Sequence, residues 1–102
     1  MIYCFDIDGT ICNNTDGNYE DAAPLFDVID KVNKLFKDGN IIYLYTARGA
    51  TTSIDWRKVT ELQLTNWGVK YHKLFFGKPT ADLYIDDKCI NVKDWLMKKD
   101  NE

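Results

Sequence analysis

A three-layer α/β fold, a small parallel sheet flanked by helices, is the architecture the sequence predicts. Apolar, strand-forming runs alternate with segments of helical period, the order that builds βαβ units. The apolar runs also lead into hydroxyl, ammonium or carboxylate groups, as expected where a parallel sheet presents its carboxyl ends to a ligand. The chain has 102 residues, 45% hydrophobic and 28% charged, enough for one core and no second domain. One domain is expected over residues 1–96, with a flap at 11–23 and a polar tail at 97–102.

The first strand is Met1-Ile2-Tyr3-Cys4-Phe5, running into Asp6-Ile7-Asp8-Gly9-Thr10. So little polar alternation suits a strand buried on both faces. Asp6 and Asp8 lie two positions apart, so their carboxylates can point the same way as the strand ends. Like charges that close repel unless something positive sits between them. Gly9 permits a sharp turn, which the Thr10 hydroxyl can tie down. A calcium loop is excluded: the twelfth residue from Asp6 is Gly17, not Glu, and a strand precedes it.

Residues 11–23 are polar, and Asp16-Gly17 is a hairpin signal, so a small flap or plain connecting loop is expected. Pro24 suits the start of a helix and Gly39 its end. Between them Leu25, Val28, Ile29, Val32, Leu35 and Phe36 fall on one helical face. Ile41-Ile42-Tyr43-Leu44-Tyr45 is the second strand, ending at Thr46-Ala47-Arg48-Gly49. A second helix is expected from about Ile54 to Asn66, with Trp56, Val59, Leu62, Gln63 and Trp67 inward. Tyr71 to Phe76 is the third strand, followed by Gly77-Lys78-Pro79. Ala81 to Ile85 is a short fourth strand ending at Asp86-Asp87. The lone His72, at the far end of its strand, is read as structural or solvated. Residues from Cys89 to Leu96 add an edge strand or a helical turn.

Asp6 with Asp8, Thr46, Lys78, and Asp86 with Asp87 are thus expected to converge at one edge of the sheet. Several carboxylates in one crevice call for a hard divalent cation, and oxygen-only ligands suit Mg²⁺. Phosphoryl transfer needs positioning and neutralisation of oxygen charge, which a cation, an ammonium and a hydroxyl supply. One carboxylate can attack phosphorus, and a second can protonate the leaving oxygen and later deprotonate water.

Phe5-Asp6-Ile7-Asp8-Gly9-Thr10, Leu44-Tyr45-Thr46-Ala47-Arg48, Gly77-Lys78-Pro79 and Tyr84-Ile85-Asp86-Asp87-Lys88 resemble the motifs of the haloacid dehalogenase-like (HAD) superfamily of phosphohydrolases, across nearly the whole chain. The resemblance implies a Rossmann-like, HAD-like core. It implies that Asp6 is the nucleophile and Asp8 the general acid/base, with the main-chain carbonyl of Asp8 ligating Mg²⁺. Thr46, Ala47, Arg48 and Lys78 would bind the transferring phosphoryl group, Lys78 also steadying Asp6. Asp86 and Asp87 would complete a metal site with Asp6 and Asp8. For Arg48 a structural ion pair is weighed equally with substrate contact. The ending looks most like small phosphatases associated with bacterial capsule and polysaccharide genes, which implies a sugar phosphate or phosphorylated polymer end as substrate.

Two departures stand out. The family's longer segment between the motif Lys and the final acids is reduced here to little more than a turn. No stretch is long enough for a cap domain, so specificity must come from a large substrate, a lid supplied by a second copy in a homo-oligomer, or loose selectivity. A phosphotransferase, a non-catalytic phosphoacceptor domain and a degenerate regulatory module are the alternatives. Receiver-type phosphoacceptors carry the paired acids first and a lone acceptor later, the reverse of the order here. Net charge is −3 with no basic run, which argues against nucleic-acid or anionic-membrane surfaces. Three cysteines without metal-ligand spacing, no membrane span and no secretory signal point to a reduced, cytoplasmic setting.

Overall fold

The computed structural model describes residues 1–98; the expected tail falls outside them from residue 99 onward. Strands β1 (Ile2–Asp6), β2 (Ile41–Thr46) and β3 (Lys73–Phe76) form a parallel sheet in that order. Helices α1 (Phe26–Lys37) and α2 (Arg57–Asn66) make the crossovers, and α3 (Val92–Met97) follows β3. Tyr3 pairs with Ile42, and Leu44 with both Phe5 and Leu74, so these side chains share one face. Ile42 and Leu44 are fully buried there, in one core with Val28, Ile29 and Val32 of α1 and Leu64 of α2. Right-handed crossovers between sequential neighbours put α1 and α2 on the same side of the sheet. Trp95 of α3 joins that side, edge-on to Phe5 at 5.1 Å.

The opposite face carries Ile2, Cys4, Ile41, Tyr43, Tyr45 and Phe75, which are half-buried or exposed. The expected three layers are therefore two, and the shortest dimension of 20 Å matches one helix layer, about 10–12 Å across, on one sheet. A third layer would have to come from the chain between β3 and α3, and residues 77–91 hold no helix or strand. The expected fourth strand over Ala81–Ile85 does not form, and Leu83 and Ile85 are 75% and 89% exposed. The Tyr84 hydroxyl donates to the Pro79 carbonyl (2.6 Å) and accepts from the Ala81 N–H (3.1 Å). Those bonds curl the segment into a closed turn that cannot extend along β1.

Smaller differences have local causes. β3 begins at Lys73 rather than Tyr71 because His72 pairs through its ring. Its N–H donates to the Ile42 carbonyl (2.8 Å), while its Nδ1 accepts the Ile42 N–H (3.0 Å). The His72 ring also stacks on Phe36 at 4.6 Å, a structural role. The flap is a loop rather than a hairpin, closed at its base by Asn13 and Ala23 and carrying a 3-10 turn at Tyr19–Asp21. Asp16 and Gly17, at φ 53° and 99°, still turn its tip with the two positive angles that Asp-Gly favours. On α2, Leu62 faces solvent at 62% exposure while Thr60 and Leu64 are buried, against the expected inward stripe. No helix among the described residues is long and apolar enough to cross a membrane.

Candidate active site

Asp6 ends β1, and the chain turns immediately after it. Its Oδ1 accepts the Ile7 N–H (2.9 Å), and the Ile7 carbonyl accepts the N–H groups of Thr10, Ile11 and Cys12. Gly9, at φ 87°, supplies the left-handed residue the turn needs. This backbone knot, rather than the Thr10 hydroxyl, ties the turn down. It also sends the two carboxylates to different cations.

Asp6 Oδ2 lies 3.2 Å from Lys78 Nζ. The Lys78 N–H donates to the Thr46 carbonyl (3.2 Å), which fixes the residue after β3 beside the end of β2. The Lys78 ammonium sits between two phenol rings, 4.4 Å from the centroid of Tyr45 and 3.9 Å from that of Tyr84. Burial pushes the Asp6 carboxyl above its ordinary value of 3.8, and the nearby Lys78 charge offsets this only in part. Burial alone would lower the Lys78 ammonium, but Asp6 and the neighbouring phenols outweigh it and the net shift is upward. The two shifts do not agree on the pair. Lys78 is held in its charged form, while at Asp6 burial outweighs the ammonium and favours the neutral carboxyl. The 3.2 Å contact carries the pairing, and the carboxylate bears more of the desolvation.

Asp8 is organised by a different set. Arg48 donates to its carboxylate through Nε (3.1 and 3.2 Å) and Nη2 (3.0 Å), and the Thr46 hydroxyl reaches Oδ2 at 3.3 Å. Arg48 Nη1 goes to Thr60 Oγ1 (2.9 Å) and Gln63 Oε1 (2.7 Å), and Nη2 also faces Cys12 Sγ at 3.7 Å. The guanidinium lies over the Tyr19 ring at 4.8 Å, and the Tyr19 carbonyl accepts from Gln63 Nε2. Arg48 is only 3% exposed. Of its two expected roles, its contacts are those of the ion-pair partner, not of an open phosphate ligand. Thr46 is fully buried, its oxygen also accepting the Arg48 N–H (3.0 Å). Ala47 is half-buried and closes a turn by accepting the Ala50 N–H (2.9 Å).

Asp86 and Asp87 are not brought to this cluster. They lie on the exposed segment after Tyr84, where Asp86 Oδ1 accepts the Lys88 N–H (3.0 Å). That bond, and one with Asp87, holds the Asp86 carboxyl below its ordinary value. Among the described residues no three His, Cys, Asp or Glu side chains gather in one place. Of the four acids expected to hold a cation, Asp6 and Asp8 stand at this strand end, and Mg²⁺ is commonly held by one or two carboxylates with water and phosphate oxygens completing its shell.

Sequence reasoning missed Cys12, Tyr19, Tyr45, Thr60, Gln63 and Tyr84. Thr60 and Gln63 carried a readable signal: polar residues three apart share a helical face, here on a helix that must bury one side. Cys12 gave none; burial first, then the Asp8 charge, pushes its thiol up to about 12, so it is an inert donor. Replacing Tyr84 by leucine should loosen Lys78 and, if the site turns over a phosphate ester, lower kcat/KM about two- to fivefold, the loss expected of an exposed cation–π contact. Tyr84→Phe keeps the ring and should retain most activity; equal losses in the two variants would assign the effect to the hydroxyl's bonds instead.

Neither a family model nor a curated protein matches the chain. A crystal structure of an MCSG target from Vibrio cholerae is similar to it, with a TM-score of 0.86 and 22% identity, covering 98% of this chain and 90% of that one. At that identity the likeness concerns the fold: a small α/β domain with a parallel sheet and flanking helices.

Proposed function

We propose that this chain is a phosphomonoesterase of the HAD-like type, working through an aspartyl-phosphate, with Mg²⁺ as its cofactor. One observation carries the reading. A half-buried carboxylate at a strand end, Asp6, is paired with an ammonium at 3.2 Å, while a second carboxylate two residues on is independently aimed by a buried guanidinium.

Chemistry assigns the steps. Lys78 draws the phosphoryl oxygens toward Asp6 and offsets their charge. Asp6 Oδ2 attacks phosphorus as the ester P–O bond breaks, and the departing oxygen takes a proton from Asp8. Asp8 then removes a proton from water, which attacks the acyl phosphate, freeing inorganic phosphate and restoring Asp6. Arg48 and Thr46 keep Asp8 in one orientation through both steps. The Asp6 side chain is 31% exposed, so water can reach it, which favours water over another alcohol as acceptor and so hydrolysis over phosphotransfer.

Mg²⁺ belongs to the proposal through the oxygen-only acids of the motifs; bound, it would neutralise charge on the phosphoryl oxygens. The test is release of p-nitrophenol from its phosphate ester, expected with Mg²⁺, lost in EDTA and regained on adding Mg²⁺. Turnover undiminished by EDTA would remove the ion from the proposal, and no turnover under any metal would remove the activity.

A further inference from the structure

One face of the sheet carries no layer. By the strand register Ile2 and Ile41, Cys4 and Tyr43, and Tyr45 and Phe75 are neighbours on it, and all six are exposed or half-buried. The strands are nevertheless apolar on both sides. Ile2 and Cys4 alternate with Tyr3 and Phe5 along β1, and Ile41, Tyr43 and Tyr45 with Ile42 and Leu44 along β2. Parallel strands carry that pattern because both faces of such a sheet are normally covered. The open face is also preformed, since Tyr43 and Phe75 meet edge-on at 5.4 Å.

We propose that this face binds the same face of a second copy, giving a closed dimer in which each sheet is the other's missing layer. Packed sheets interdigitate their side chains about 10 Å apart, so one sheet face is a fitting partner for another. Asp6, the last residue of β1, and its partner Lys78 lie at the carboxyl end of the face. They stand at the rim of the contact, so the second copy adds a layer and not a lid. The contact does not depend on the phosphohydrolase reading.

Area and charge select this occupant. The chain exposes 7116 Å² for a mass of 11.9 kDa, against about 6,000 Å² for a folded monomer of that mass. The excess, roughly 1,100 Å², is of the order of the roughly 800 Å² that each partner gives to a standard interface. Two tyrosines and a phenylalanine among isoleucines match the aromatic, charge-poor centre of such contacts. Among the strand residues of this face only Asp6 and Lys73 are charged. Asp6 is paired with Lys78 at 3.2 Å, and Lys73 stands at the start of β3, an outer strand. The centre is therefore neutral. Two copies meet there without like-charge repulsion, and a partner chosen by charge has nothing to read.

Sedimentation equilibrium tests it. At about 50 µM chain, above the micromolar limit of standard interfaces, the mass should be twice 11.9 kDa and go no higher, because a contact between identical faces closes on itself. Ile2 and Phe75, 60% and 45% exposed, lie on the outer strands, where a lysine is tolerated in a single chain. Ile2→Lys and Phe75→Lys should each raise the dimer dissociation constant about tenfold, and together about a hundredfold. Leu62→Lys, equally exposed but on α2 in the helix layer, should leave it unchanged. Cys4, exposed in the single chain, should react with a maleimide more slowly in wild type than in the double variant. If Phe75→Lys unfolds the chain, Ile2→Lys, at the more exposed position, decides. A wild-type monomer at about 50 µM overturns the proposal. So does a dimer that Ile2→Lys leaves unmoved, or one that Leu62→Lys weakens as much.

Discussion

Replacing Asp6 by asparagine is expected to lower phosphate release by roughly 10³-fold or more while leaving the chain folded. An amide is no nucleophile toward phosphorus, yet it keeps the shape of the carboxylate and can still accept the Ile7 N–H that Asp6 Oδ1 receives at 2.9 Å. Folding stability separates loss of chemistry from loss of structure, and its sign follows from the Asp6 titration. The folded-state value lies above the ordinary 3.8, from burial first and against Lys78. The folded protein thus binds this proton more readily than the unfolded chain, and stability attributable to Asp6 falls as pH rises from 3.8 through the folded value. Asparagine has no such dependence. Wild type should therefore lose stability relative to the variant as pH rises across that window, read from paired thermal melts. Turnover in the asparagine variant within tenfold of wild type would sink the nucleophile assignment, whatever the melts show.

Legibility in the sequence followed how local the determining forces were. α1 was readable because Val28, Ile29 and Val32 recur at helical spacing and meet only apolar partners. β1 and β2 were readable as uninterrupted runs of strand formers. The fourth strand was not, because its fate depends on one side chain. Leu83 and Ile85 have strand propensity, but the Tyr84 hydroxyl closes the turn on Pro79, a bond no periodicity reveals. The α2 face was misread for a related reason. Leu62 looked inward by hydropathy, yet the buried Arg48 guanidinium requires Thr60 and Gln63 beside it, and that sets the helix rotation.

The site shows the same division. Asp6, Thr46 and Lys78 were placed by counting to strand ends, and the structure brings them together. The Asp86–Asp87 pair was placed by the same count from a strand that does not form, and the pair lies elsewhere. Arg48 was ambiguous because an Arg after a strand reads alike whether it faces solvent or the core. Its five N–H donors are matched by acceptors from the first turn and α2, and only the folded chain assembles those.

Replacing Arg48 by methionine should be the most damaging change to stability. It keeps the aliphatic stem but leaves Asp8 without its cation and removes a donor from Thr60 and Gln63. The Arg48 side chain is fully buried and that of Asp8 is 17% exposed, so solvent can restore little. Breaking one side of a buried pair costs about 3–5 kcal/mol, a large share of the roughly 5–15 kcal/mol that holds a domain folded. The urea midpoint should fall by roughly 2 M, given slopes of about 1–3 kcal/mol per M. Lysine should recover only part, since an ammonium cannot fork between Asp8 and α2 as a planar guanidinium does. Asp8→Asn, alone and combined with Arg48→Met, separates the pair from the rest of the network, and a coupling of about 1–3 kcal/mol is expected. The same variants read out function below their melting temperatures. If Arg48 acts by aiming Asp8, it should matter to turnover only while the carboxylate is there, so adding Arg48→Met to Asp8→Asn should cost no further kcat. A methionine variant as stable as wild type would mean that the network stores no folding energy. A further loss of kcat in the double variant would mean that Arg48 touches the substrate after all.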